Sequence, residues 1–80
     1  MPTSQVEIDA KAVGVEIDEY TLRVMLADGR EISAPLLWFP RLLNATPQQR
    51  SNWRLIGHGI GIGWKDVDEH LSIAGLLRSQ

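Results

Sequence analysis

The residues of this 80-residue chain that could do chemistry come late: His58, then Asp66, Asp68, Glu69 and His70. An Asp-x-Asp-Glu-His run could hold a divalent cation, or divide acid and base roles between carboxylate and imidazole. It lacks the length and central glycine of an EF-hand loop, and the chain has no H-E-x-x-H pair for zinc. A site built on His58 and His70 needs Asp66 or Asp68 folded back over the intervening chain. A solvated loop before a closing helix accounts for Asp68 and Glu69 with fewer demands, because acids favour the positive helix N-terminus. No metal, cofactor or catalytic residue is therefore assigned.

Nucleophilic catalysis has less material still. Ser33, Ser51 and Ser72 lack the strand-turn-helix elbow that exposes a nucleophile, and a chain this short offers little scaffold to fix a triad. The expectation is that the protein is not an enzyme. Gly57, Gly59, Gly61 and Gly63 recur at every second position, which fits neither G-x-G-x-x-G nor a P-loop, and Trp64 separates Gly63 from Lys65.

Binding is better supplied. Three Trp residues exceed what a small core needs, and Trp and Arg are common anchors of binding hot spots. Charge is blocked along the chain: residues 1–31 sum to −4, residues 32–65 carry four bases and no acid, and residues 66–80 sum to −2. Trp38, Arg41, Arg50 and Arg54 lie in the acid-free block and are the candidate partner-binding residues. The favoured reading is a protein-interaction module. Its rival is a nucleic-acid contact by Arg41, Arg50, Arg54 and Lys65, which a net charge of −2 and a pI near 5.5 disfavour. A small-ligand or metal-binding domain ranks third. The charge blocks can be satisfied within the fold, across a weak homodimer or by an acidic partner.

The elements that must position these residues follow from periodicity. Residues 1–10 read as a loosely ordered lead-in and 11–78 as one globular unit. Val13, Val15 and Ile17 alternate with polar or small residues as a half-buried strand, and Asp18-Glu19 turns into a second strand over Tyr20–Ala27. Asp28-Gly29 is a hairpin signal of type I′, and a third strand runs from Arg30 to Ala34 with Ile32 inward. Pro40, in a first turn, allows a helix over Leu37–Asn44, on which Trp38 and Arg41 can stack. Thr46 caps a second helix over Gln48–Trp53, with Pro47 at its first position. The glycine-rich stretch Gly57–Trp64 reads as a fourth strand with one bare face. Lys65–His70 follows as an acidic loop, and Ser72 caps a terminal helix with Ile73, Leu76 and Leu77 as its apolar stripe. The class is α+β: a small antiparallel meander of three to four strands packed with two or three short helices.

Composition bounds the setting. No apolar run approaches the roughly 18 residues of a membrane span, and residues 1–10 lack the charged start and apolar segment of a signal peptide. The absence of Cys excludes disulfides and thiolate metal sites, which fits a reducing cytoplasm.

The run D28-G29-R30, P35-L36, W38-F39-P40-R41-L42, A45, P47, R50, W53, then G57, G59, I62, W64, D68-E69, L71-S72-I73 and L76-L77 resembles a bacterial family known as domain of unknown function 2442. That family tends to read I-H-W-P-x-L-D-E-D-L; here Gly63 stands where His is common, Lys65 where Pro is, and His70 where the second Asp is. The resemblance implies a small α+β domain and no established catalytic residues. It also implies an antitoxin-like regulatory role beside a toxin-like neighbour, since some members look like one partner of a two-gene module.

Overall fold

Alternating apolar side chains build the first sheet of the computed structural model, which describes residues 8–79. Residues 1–7 of the expected lead-in, and residue 80, lie outside the described residues. Strands β1 (Ala12–Ile17), β2 (Thr21–Leu26) and β3 (Glu31–Pro35) pair antiparallel in that order. Val15, Val24 and Ile32 align across the three strands, as do Ile17, Leu22 and Ala34, so one face is apolar. Val13, expected on that face, is not there: it is 57% exposed. A bulge between Ala12 and Gly14 leaves Val13 as the extra residue, which returns Ala12 and Val15 to the core side.

Both turns of this sheet are held by an aspartate. The Asp18 carboxylate accepts from the backbone N–H of Tyr20 at 2.9 Å and of Thr21 at 2.8 Å, and Arg23 donates to it at 3.2 Å. Asp28 accepts from the N–H of Asp9 and Arg30 and from the Arg30 side chain. The Asp28-Gly29 hairpin is present, but as a three-residue loop in place of type I′. The Leu26 N–H donates to the Arg30 carbonyl across it, the Gly29 N–H reaches back to the Leu26 carbonyl, and only Gly29, at φ 93°, is left-handed.

The expected helix over Leu37–Asn44 is split. Leu36–Trp38 forms a 3-10 turn, and α1 spans Pro40–Leu43 with Pro40 at its first position. Proline keeps its predecessor out of the helical region, and Phe39 accordingly sits at φ −128°, ψ 79°. The second helix, α2 (Pro47–Ser51), opens on a full capping box: Thr46 accepts from the Gln49 N–H while the Gln49 side chain accepts from Thr46. It stops short of Trp53, which begins a strand.

Here the single four-stranded sheet expected from the sequence gives way to two sheets. Strands β4 (Trp53–Ile56), β5 (Gly61–Trp64) and β6 (Glu69–Ser72) form a second antiparallel three-stranded sheet. Gly57–Gly59 is a 3-10 turn, not strand, because the chain must reverse for β5 to pair with β4. Positive φ at Gly57, His58 and Gly59 carries that reversal. The acidic loop is shorter than expected: Lys65–Val67 makes a 3-10 turn, Asp68 is left-handed, and Glu69 and His70 are already in β6. Ser72 caps the closing helix, α3 (Ile73–Arg78), by accepting from the Gly75 N–H.

The sheets meet where Gly59 lies against β1. A Cβ on Gly59 would stand 2.5 Å from the Ala12 carbonyl oxygen, so only glycine fits. The Ile73 N–H donates to the Ile60 carbonyl at 3.0 Å, tying α3 to the same turn. One core joins Leu22, Val24, Leu26 and Ile32 of the first sheet to Ile62 and Trp64 of the second, with Leu36, Leu42, Ile73 and Leu76 between.

Gly59→Ala should lower stability by about 2–4 kcal/mol, combining overpacking with left-handed strain. Gly29→Ala, where no atom lies within 4 Å of the added carbon, should cost about 1–2 kcal/mol for backbone strain alone. Urea midpoints of the two variants test the contrast. Hydrogen bonds, led by the Tyr20 N–H for Asp18 and by the Arg30 side chain for Asp28, hold both carboxyls below the ordinary 3.8. With folded values depressed, their contribution is present above pH 3.8 and is lost as pH falls through the lower folded values. Melting midpoints measured downward from neutral pH should fall in that acidic window, and Asp28→Asn should flatten the decline.

Candidate functional site

Two prolines present the first candidate side chain. Between Pro35 and Pro40 the chain makes a single 3-10 turn, in which residues three apart eclipse. Leu36 and Phe39 therefore share the inner side, with Leu36 fully buried and Phe39 packed on the core. Leu37 and Trp38 are left pointing outward, 74% and 51% exposed. Trp38 does not stack on Arg41. Its ring meets Phe39 edge-on, with centroids 6.5 Å apart.

Arg41 reaches the acidic turn. Its Nη1 donates to the Asp68 carbonyl and stands 3.9 Å from the Asp68 carboxylate, while most of the side chain stays in solvent. Arg50 is committed to structure: its Nε donates to the Leu42 carbonyl at 2.9 Å and its Nη2 to the Leu43 carbonyl at 2.8 Å. Both carbonyls are at the end of α1, where the Leu42 oxygen also accepts from the Ala45 N–H, and a guanidinium fork suits two adjacent acceptors. The Arg50 carbonyl in turn accepts from Trp64 Nε1 at 3.0 Å, which allows the indole to be fully enclosed.

Arg54 lies elsewhere, on the outer face of the second sheet. The register aligns Arg54, Gly63 and His70 in one row, and Ile56, Gly61 and Ser72 in the next on that face. The central strand contributes no side chain to either row, and Ile56 and His70 lean over the glycines instead. An open groove of about 820 Å³ follows, bordered by Arg54, Ile56, Ile60, His70 and Ser72 over Gly61. The four candidate residues thus do not share one surface: Trp38 and Arg41 flank Phe39-Pro40, Arg50 is turned inward, and Arg54 borders the groove. Sequence reasoning missed His70 as Arg54's neighbour because β6 was read as loop. Its signal was the alternation of Glu69 and Leu71 with His70 and Ser72.

Among the described residues no three of His, Asp and Glu converge as metal ligands would. Asp66 accepts from the Asn52 amide at 2.9 Å, and Glu69 from the His70 N–H at 3.0 Å. No helix among the described residues is long and apolar enough to cross a membrane.

Arg50→Ala should cost about 2 kcal/mol by stripping both α1 carbonyls of a charged donor. Trp38→Ala should cost less than about 1 kcal/mol, the range of a surface change. Parallel urea titrations of the two variants decide whether Arg50 is structural and Trp38 is free.

The architecture has a counterpart in the crystal structure of a protein of unknown function from Rhodospirillum rubrum ATCC 11170, with a TM-score of 0.73 and 25% identity over 86% of each chain. None of the curated proteins matches this chain. The family model described as protein of unknown function (DUF2442) matches residues 12–80, from the start of β1 through α3, and the chain belongs to that family.

Proposed function

We propose that the chain is a cytoplasmic protein-interaction module with an antitoxin-like regulatory role, holding a partner protein through Leu37, Trp38 and Arg41. The observation that carries this reading is the outward Leu37-Trp38 pair on a turn stiffened by two prolines. Such a pair is pre-organised, so binding loses little side-chain or backbone freedom, and a half-buried indole can be completed by a partner's apolar surface. Arg41, three residues after Trp38, supplies a charged rim. The toxin-like product of a neighbouring gene is the first partner to test, and the same surface serves weak self-association when that partner is absent.

The protein acts by binding, without catalysis. Two candidate hydroxyls support this: Ser51 Oγ donates to the Gln48 carbonyl, and Ser72 Oγ caps α3. A nucleic-acid role would have relied on Arg41, Arg50, Arg54 and Lys65 as a group. The commitment of Arg50 to the α1 carbonyls weakens that arrangement.

Co-expression with the neighbouring gene product, followed by affinity measurement, tests the proposal. Trp38→Ala should weaken association by about 2 kcal/mol or more with its melting midpoint preserved, and binding should change little with salt. Unchanged affinity for that variant overturns the Trp38 surface. A steep fall in DNA binding with added salt would favour phosphate contacts instead. Sedimentation of wild type at high concentration reads the self-association directly.

A further inference from the structure

The outer face of the second sheet carries two residue rows across a central strand without side chains on that side. Its two rows differ in chemistry. Arg54 and His70 stand on opposite sides of Gly63, and Ile56 leans in between them: a Cβ there would lie 3.0 Å from Ile56 Cδ1, 3.1 Å from His70 Cδ2 and 3.6 Å from Arg54 Nε. Both side chains therefore reach over the same glycine from different strands. The neighbouring row runs from the apolar Ile56 over the bare Gly61 to Ser72, whose hydroxyl is engaged in capping α3, and it opens toward Ile60, which is 62% exposed. A cationic end and an apolar floor thus lie side by side along one groove.

Among the described residues no carboxylate neutralises the cationic end. Among the described residues Arg54 pairs with no carboxylate, whereas Arg23, Arg30 and Arg41 each do. Glu69 stands in the row of Trp53 and Trp64, on the other face of the sheet, and Asp66 is bonded to Asn52. The volume, about 820 Å³, is in the range of small-molecule sites. We propose that this groove binds a small amphipathic carboxylate, its anionic group between Arg54 and His70 and its apolar body over Gly61 toward Ile60. Arg54 supplies charge-assisted hydrogen bonds to the carboxylate, and Ile56 and Ile60 remove the apolar body from water.

Titrating the isotope-labelled full chain with octanoate, acetate and octanamide, read by amide chemical shifts, tests this directly. Octanoate should give saturable shifts centred on Gly61, Gly63 and His70. Acetate lacks the apolar body and octanamide lacks the charge, so each should bind at least about tenfold more weakly, the ratio that one lost charged or apolar contact set produces. Arg54→Gln, an exposed change, should lose about tenfold in octanoate affinity, leave octanamide unaltered and keep its melting midpoint. Shifts that are scattered or fail to saturate overturn the proposal, as does octanamide binding equal to octanoate or undiminished octanoate affinity in Arg54→Gln. Wild-type and Trp38→Ala chains should bind octanoate alike, which keeps this test independent of the partner-protein surface.

Discussion

The interior of this domain hangs on the indole of Trp64. An enclosed Trp contributes several kcal/mol of apolar burial, yet its N–H must be answered inside the protein or the gain is largely cancelled. The Arg50 carbonyl answers it, which fixes α2 relative to β5. Arg50 then turns its guanidinium on the last carbonyls of α1, so one residue links the central strand of the second sheet to both short helices. Neither helix is long enough to be stable alone. Their order comes from the Thr46 capping box of α2 and from this chain of bonds.

Glycine spacing serves two separate demands that look like one pattern. Gly57 and Gly59 supply left-handed backbone for the reversal between β4 and β5, and Gly59 also allows the turn to approach β1 more closely than any side chain would permit. Gly61 and Gly63 are extended and buried in β5. A Cβ at Gly61 would lie 3.1 Å from the Leu71 carbonyl, and one at Gly63 would meet Ile56 and His70. The first pair joins the two sheets; the second shapes the outer face of one of them. A bare strand between two side-chain rows makes a groove without requiring a separate loop or lid.

The first sheet was readable in the sequence because alternation, an Asp-Gly pair and a buried face all pointed the same way. Local signals also located Thr46 and Ser72 as caps, since a hydroxyl before a helix has few other uses. The second sheet was not readable for a physical reason. Its strands are four residues long, two of the central four are glycine, and period-two spacing continues unbroken from a turn into a strand. Nothing in the order G-H-G-I-G-I-G-W distinguishes glycine needed for positive φ from glycine needed for close approach. The same limit hid the groove, which exists only once β6 sets His70 opposite Arg54.

Among the candidate residues, type was a poorer guide than position relative to proline. Trp64 and Trp38 offer the same side chain, but Trp64 falls in a strand whose inward row ends beside α2. Trp38 falls in a turn whose two flanking prolines spend the inward positions on Leu36 and Phe39. The linear charge pattern misleads in a similar way. The acid-free block of residues 32–65 suggests a basic surface, yet its members diverge: Arg50 caps a helix, Arg41 reaches Asp68 in the following acidic block, and Arg54 borders the groove. The structure thus offsets part of the block at Asp68, consumes another part internally and leaves Arg54 without an acidic partner among the described residues. A net charge of −2 then coexists with a local positive charge at Arg54, because uncompensated charge at one point is set by the neighbours of that point and not by the sum over the chain.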